Sequence, residues 1–142
     1  MATEDAARAM NLFYEELNAL YSDIAKRSGL SGSAFDILYA LHEEDGRRMV
    51  DLCRASFMSK QTLASSVRRL EEQGLVRTEA RSRRFVRVFL TDQGRAQVEA
   101  AIVPIARAET RALKRLSPAE QRAIPELIAH YLEALRAEFG QL

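Results

Sequence analysis

Apolar side chains recur every three or four positions in the first part of the chain, which is the spacing of an amphipathic helix. The first such run covers residues 5–27, and Gly29 follows it as the expected end of the helix. Ser31 is suited to cap a second helix, which should end near residues 44–46. A short third helix is predicted around residues 50–56. The apolar side chains expected to point inward there are Val50, Leu52, Cys53 and Phe57.

The next segment predicts a fourth helix with two chemically distinct faces. Ser59 caps it, and it runs to about Gln73, where Gly74 ends it. At roughly 100° per residue, one face carries apolar side chains, namely Leu63, Val67 and Leu70. The opposite or flanking face carries polar ones, namely Gln61, Thr62, Ser65, Arg68 and Arg69.

Alternation with a period of two follows the helix and predicts a β-hairpin. Its strands should cover residues 75–79 and 85–90, joined by a turn over residues 80–84. Phe85 and Phe89 share one face of the second strand, and we expect them to pack on neighbouring helices.

The remainder of the chain predicts two further helices. Thr91 and Asp92 start a helix that reaches about Arg115 and should be kinked at Pro104, because proline removes a backbone hydrogen bond. Residues 117–120 (SPAE) form a capping box for a last helix that reaches about Phe139. The fold class is therefore mainly α with a small β-hairpin wing. We expect one domain over 1–142, with a winged helix-turn-helix part at 31–91 and helical parts at 5–27 and 92–139.

Composition limits the class of protein. Of the 142 residues, 47% are apolar and 29% are charged, which is typical of a globular chain. The longest apolar runs are far too short to span a membrane, and the acidic N-terminus does not resemble a secretory signal. A single cysteine permits no intramolecular disulfide, so we expect a cytoplasmic protein.

Charge is concentrated in one segment. The whole chain carries a formal charge of +1, whereas residues 59–91 hold eight basic and three acidic side chains. Such focusing is typical of proteins that bind the phosphate backbone of DNA. The start of the fourth helix suits a phosphate, Gln61 suits adenine, and Arg68 or Arg69 suits guanine or a phosphate. The candidate contacts to double-stranded DNA are Ser59, Lys60, Gln61, Thr62, Ser65, Arg68, Arg69, Arg81, Arg83 and Arg84. Taken alone, the helix face could equally be a solvated surface, and the arginines could bind acidic protein or RNA.

Three segments, at residues 30–38, 59–76 and 84–94, resemble the multiple antibiotic resistance regulator (MarR) family of bacterial transcription factors. Leu30-Ser31 with residues 35–38 (FDIL) resembles the start of the family's second helix. Residues 59–63 (SKQTL), 69–71 (RLE) and 74–76 (GLV) resemble its recognition helix and exit. Arg84, followed by Leu90-Thr91 and Gly94, matches its wing arginine and the strand that leads into the fifth helix. One position departs from the pattern, since Ser82 stands where the family often has an aspartate two residues before that arginine.

The resemblance implies a homodimer held by the first, fifth and sixth helices. Its two recognition helices would enter successive major grooves of a pseudo-palindrome. It also implies that a small effector, often aromatic or phenolic, or oxidation of a cysteine weakens DNA binding. The leading hypothesis is therefore a ligand-responsive transcriptional regulator, most simply a repressor.

Other hypotheses remain open on the sequence. Candidate effector contacts between the first two helices are Tyr14, Tyr39 and His42, although such side chains are more often ordinary packing residues. Cys53 could make the chain a redox sensor, although a lone buried cysteine usually behaves as a small hydrophobe. The missing wing aspartate would also fit a winged-helix protein-interaction module. No catalytic motif, cofactor loop or metal-ligand spacing is present, so we expect neither an enzyme nor a metal or cofactor site.

Overall fold

Helices and strands follow one another in the predicted order, with one additional strand and with the predicted fifth helix divided into two. The computed structural model describes residues 1–142. The helices are α1 (Ala2–Arg27), α2 (Gly32–Glu43), α3 (Met49–Ser56), α4 (Lys60–Glu72), α5 (Asp92–Ala101), α6 (Val103–Leu113) and α7 (Pro118–Phe139). The strands are β1 (Arg47–Arg48), β2 (Val76–Ser82) and β3 (Phe85–Leu90). The predicted fold class, mainly α with a small wing, is confirmed.

The sheet is larger than the predicted hairpin. The short strand β1 pairs with β3, so the antiparallel order is β1–β3–β2. The predicted turn over residues 80–84 is wrong, since β2 continues to Ser82 and only Arg83 and Arg84 form the turn. Ala80 pairs with Val86 and Ser82 with Phe85, so Arg81 lies in a bulge. A bulge adds one unpaired residue and disrupts the ladder only locally, so pairing resumes beyond it, which the strict alternation expected of a strand does not anticipate.

The chain divides into two compact units, residues 1–103 and 104–142. The core of the first unit is formed by fully buried aliphatic side chains from the helices and from β3. They are Ile37, Leu38, Leu41, Leu52, Leu63, Leu70, Val88 and Ile102. This core holds α2, α3, α4 and the sheet together, and it therefore fixes α4 relative to β2 and β3.

Two of the four side chains predicted to point inward from α3 do not. Leu52 is fully buried and Cys53 is partly exposed, but Val50 is 42% exposed and Phe57 is 96% exposed. Phe57 follows the end of the helix and has φ +54° and ψ +27°. In this left-handed conformation the chain reverses its course, so the ring does not continue the apolar stripe of α3.

The second unit contains nearly all of α6 and the whole of α7. The single long fifth helix expected from the sequence, kinked at Pro104, is instead two helices, α5 and α6, that meet at Ile102, two residues before that proline. The capping box is formed as predicted: the Ser117 hydroxyl accepts a hydrogen bond from the Glu120 N–H at 3.2 Å, and the Ser117 N–H donates to the Glu120 carboxylate at 2.7 Å. None of the helices has both the length and the hydropathy needed to cross a membrane.

Candidate nucleic-acid interface

The start of α4 is organised by hydroxyl groups. The Ser59 hydroxyl accepts a hydrogen bond from the Thr62 N–H at 3.1 Å, which is the N-cap geometry the sequence predicts. The same hydroxyl donates to the Thr62 Oγ1 at 3.0 Å. The cap therefore fixes two hydroxyl groups at the positive end of the helix dipole, where an anionic phosphate is favoured.

The body of α4 separates the predicted contacts from the core. Leu63, Val67 and Leu70 are buried, as expected. The predicted DNA contacts of this helix all lie on its exposed side, namely Lys60, Gln61, Thr62, Ser65, Arg68 and Arg69. Ser66, which resembles its neighbour in chemistry, is instead buried and accepts a hydrogen bond from the Arg69 guanidinium at 3.3 Å. We define the α4 polar face as these six residues together with Ser59.

The wing carries a second group of exposed polar side chains. Arg83 and Arg84 form the two-residue turn, and Arg81 lies in the adjacent bulge of β2. We call these three residues the wing tip. All three are exposed, and none takes part in an ion pair. With serine at position 82, the chain has no carboxylate at the position that in the family often precedes the wing arginine.

The remaining arginines of the sheet contact the protein itself. Arg77 pairs with Glu79 and lies over the Phe89 ring, 4.6 Å from its centroid. Arg87 donates a hydrogen bond to the Gly46 carbonyl at 2.9 Å. The arginines of β2 and β3 thus fall into two groups: Arg77 and Arg87 contact the protein itself, and those of the wing tip have no ion pair. A count of charges along the sequence does not distinguish the two groups.

The two arginines of β1 also have internal roles. Arg47 pairs with Glu43 at 3.2 Å and with Glu44 at 3.7 Å. Arg48 pairs with Asp51 at 2.9 Å and lies 5.8 Å from the centroid of the Phe85 ring. The hydrogen bond from this guanidinium lowers the pKa of the Asp51 carboxyl.

Phe85 and Phe89 do not pack on helices as expected. They lie on the outer face of the sheet, where they are covered in part by Arg48 and Arg77. Beside them is an open cavity of about 390 Å³. Its lining residues are Asp45, Gly46, Glu79, Arg81, Phe85, Arg87 and Phe89. Part of this packing comes from Arg48 of β1, which covers the Phe85 ring. The sequence does not predict β1, because a strand of two residues is too short to show a periodic pattern.

The three candidate effector contacts lie in different surroundings. Tyr39 lines a small cavity of about 170 Å³ at α2, whereas Tyr14 and His42 do not. Tyr14 is half-exposed on α1 beside Phe13, and the His42 ring lies edge-on to Tyr39 with centroids 6.4 Å apart. The other lining residues of this cavity, hereafter the α2 cavity, are Tyr21, Phe35, Asp36, Ala40, Glu43 and Ala55.

Charge in the α2 cavity is negative. Asp36 and Glu43 both line it, about two turns apart on α2, and no basic residue does. Partial burial raises the pKa of the Asp36 carboxyl, since a low-dielectric environment disfavours its charged form. Neither carboxylate was among the candidates from the sequence. An acidic residue on a helix is usually a solvated one, so nothing in the sequence distinguished them.

Comparison with known proteins agrees with the arrangement of a capped helix followed by an arginine-tipped wing. A family model described as MarR family matches residues 28–84. The transcriptional regulator HosA of Escherichia coli O111:H- is 33% identical over 110 residues, which cover 74% of this chain and 79% of HosA.

Solved structures give the same result over almost the whole chain. A MarR-family transcriptional regulator from Silicibacter pomeroyi superposes with a TM-score of 0.75 at 27% identity, covering 92% of this chain and 90% of that one. BpsR of Bordetella bronchiseptica, whose DNA binding is regulated by 6-hydroxynicotinic acid, gives a TM-score of 0.63 at 29% identity, covering 88% and 92%. The chain belongs to the MarR family: it is a winged-helix, DNA-binding transcriptional regulator and not an enzyme.

Proposed function

We propose that the chain is a homodimeric repressor that binds a pseudo-palindromic operator and is released by a small aromatic effector. The observation that carries this proposal is the joint exposure of the α4 polar face and the wing tip, without internal ion pairs. In helix-turn-helix proteins the N-terminal residues of the recognition helix contact base edges in the major groove. Gln61, in the first turn of α4, is then a base-reading side chain, while Ser59, Thr62 and the wing tip hold phosphates or the adjacent groove. We add Arg69 as a second base-reading side chain, although it lies in the last turn of the helix.

A second copy of the chain is supported by apolar surface that the protomer leaves exposed. In α1 only Ala25 is buried, and Leu20 is 67% exposed. In α7 no residue is buried, and Leu127 is 66% exposed. Apolar surface of this extent marks an interface, and a two-fold dimer also supplies the symmetry that a palindromic site requires. We therefore assign dimerisation to residues 5–27 and 92–139.

The α2 cavity is the proposed effector site, with Tyr39 as its contact among the predicted residues. Its aromatic walls suit a planar ring. Its two carboxylates can accept a hydrogen bond from a phenolic hydroxyl but repel an anionic substituent. We therefore propose an uncharged phenol in preference to an aromatic carboxylate. His42 would support this wall through its edge-on contact with Tyr39, whereas Tyr14 lies outside the lining of the cavity.

The proposal is tested by footprinting the protein on duplexes selected from a random pool. A dimer that reads a pseudo-palindrome protects two patches whose centres are about 10 base pairs apart, or a multiple of this. Native mass spectrometry should give two protomers per duplex. Transcription from a promoter carrying the selected site should rise when the gene for this chain is deleted. A single protected patch with one bound protomer would contradict the dimeric arrangement, and a fall in transcription would contradict repression.

A further inference from the structure

Phe57 is the most exposed aromatic side chain of the protein. Its relative exposure is 96%, compared with 41% for Phe85 on the wing. It lies between α3 and α4, and it is the only residue other than glycine with a positive φ. No ring contact or cation–π contact involves it.

The backbone at this position would accept a smaller residue more easily. A left-handed φ is adopted freely by glycine and at moderate expense by asparagine, but it is unfavourable for a bulky side chain. An exposed apolar ring also gains nothing from burial. The fold of the isolated protomer therefore gives no reason for phenylalanine here, and strained residues of this kind are often found at functional sites.

The position of Phe57 in the chain points to what the ring contacts. It precedes the N-cap Ser59 by two residues, so their Cα atoms are within about 7.6 Å of each other. Ser59 and Thr62 mark the end of α4 that approaches the base edges under the proposed function. Under the proposed function, a solvent-exposed ring beside that end is next to the same groove.

Base chemistry then selects a single partner. The major-groove edges display hydrogen-bond donors, acceptors and one apolar group, the C5-methyl of thymine. A phenyl ring cannot form hydrogen bonds with the donors or acceptors, but it can bury the methyl group. We propose that Phe57 reads a thymine at the edge of each half-site through its C5-methyl group. This inference rests on the proposed function, because it requires α4 to lie in the major groove.

The experiment combines a protein change with a change of one methyl group in the DNA. A duplex selected by the wild-type protein from a random pool is resynthesised with each thymine replaced in turn by deoxyuridine, symmetrically in both half-sites. At one position the wild type should lose about fourfold in affinity per half-site, the effect of leaving one methyl-sized group unburied. Phe57→Gly should bind the thymine and deoxyuridine duplexes equally.

Two further variants separate the ring from the backbone. Phe57→Asn accepts the left-handed φ but lacks an apolar side chain, so it should behave as Phe57→Gly does. Phe57→Leu keeps an apolar side chain and should retain part of the preference for thymine. Phe57→Gly should melt at the same temperature as the wild type or higher, which shows that reduced binding is not loss of folding.

Several outcomes would overturn the inference. If no thymine couples to Phe57, or if Phe57→Gly weakens binding equally to selected and scrambled duplexes, then the ring does not read thymine. If Phe57→Gly keeps the preference for thymine, another residue makes the contact. If the protein selects no sequence at all, the proposed function fails first, and the inference fails with it.

Discussion

The carboxylate of Asp45 accepts a hydrogen bond from the backbone N–H of Leu90 at 2.8 Å, although the two residues are 45 positions apart. The same oxygen accepts from the Gly46 N–H at 2.9 Å, and the other lies 3.7 Å from the Arg95 guanidinium. Asp45 thus joins the end of α2 to the last residue of β3 and to α5. Since β3 leads back from the wing tip, this carboxylate fixes the base of the wing.

We expect Asp45→Ala to loosen β3 without unfolding the core. Loss of the acceptor leaves the Leu90 N–H unpaired, which costs roughly 1–3 kcal/mol locally. Hydrogen exchange at Leu90 and its neighbours in β3 should therefore accelerate, and affinity for DNA should fall. Asp45→Asn is the matched control, because its side-chain oxygen can still accept both bonds. Equal exchange in the alanine variant and the wild type would mean that the wing is held by other contacts.

Phosphate contacts and base contacts should respond differently to mutation. Arg84→Ala removes a wing-tip charge, so it should lower affinity for most sequences and reduce the slope of log K against log salt by about 1. Gln61→Ala or Arg69→Ala should instead change sequence preference, by about 1–3 kcal/mol at the base read. Unaltered binding in all three test variants would refute this assignment of roles.

Asp36→Asn should raise stability at neutral pH. Burial raises the pKa of this carboxyl in the folded state, so the folded protein is penalised whenever the group is charged. The penalty is present above the folded pKa, and it disappears as pH falls through that value towards the unfolded pKa of about 3.9. The stability difference between variant and wild type should shrink over the same interval in urea unfolding.

The same variant tests the charge of the effector. Removing the Asp36 carboxylate should strengthen binding of benzoate by up to a few fold, since an exposed charge pair is worth about 0.2–1 kcal/mol. Binding of phenol should change little or weaken, because a hydrogen-bond acceptor is altered. Isothermal titration of both compounds makes the comparison. A wild-type preference for benzoate that survives the mutation would place the effector outside the α2 cavity.

Gly94→Ala should destabilise the protein although it lies in a helix, where alanine is normally favoured by about 1 kcal/mol. A Cβ atom on Gly94 would lie 1.9 Å from the Leu75 carbonyl oxygen. That oxygen accepts a hydrogen bond from the Thr91 N–H at 3.1 Å, so it cannot move freely. We expect a net loss of about 1–3 kcal/mol from overpacking. Thermal unfolding would contradict the packing argument if the variant were as stable as the wild type.

Elements with strong periodicity were predictable from the sequence. The faces of α4 follow from three leucine and valine positions, and the caps at Ser31, Ser59 and Ser117 follow from side chains that accept a backbone N–H. Two-residue β1 was missed because it is too short to have a period. Phe57 was assigned to the core because its apolarity continued the α3 stripe, whereas its backbone conformation turned it outward.

The contact partners of individual arginines could not be predicted from the sequence, for a different reason. Arg77, Arg87 and Arg84 are chemically identical, and only the register of β2 and β3 gives the first two internal acceptors or aromatic rings. The Asp45–Leu90 contact likewise depends on a close approach across 45 residues. Long-range pairings of this kind become visible only when the chain is folded.

The most direct test of the central claim is fluorescence anisotropy of the purified protein with its own upstream intergenic DNA and with a scrambled duplex, across a series of salt concentrations. Recognition by the α4 polar face predicts binding to one duplex that is tighter by roughly 10³-fold or more. Equal and steeply salt-dependent binding to both would mean that only the wing tip engages the phosphate backbone, and it would contradict sequence-specific recognition of that DNA by α4.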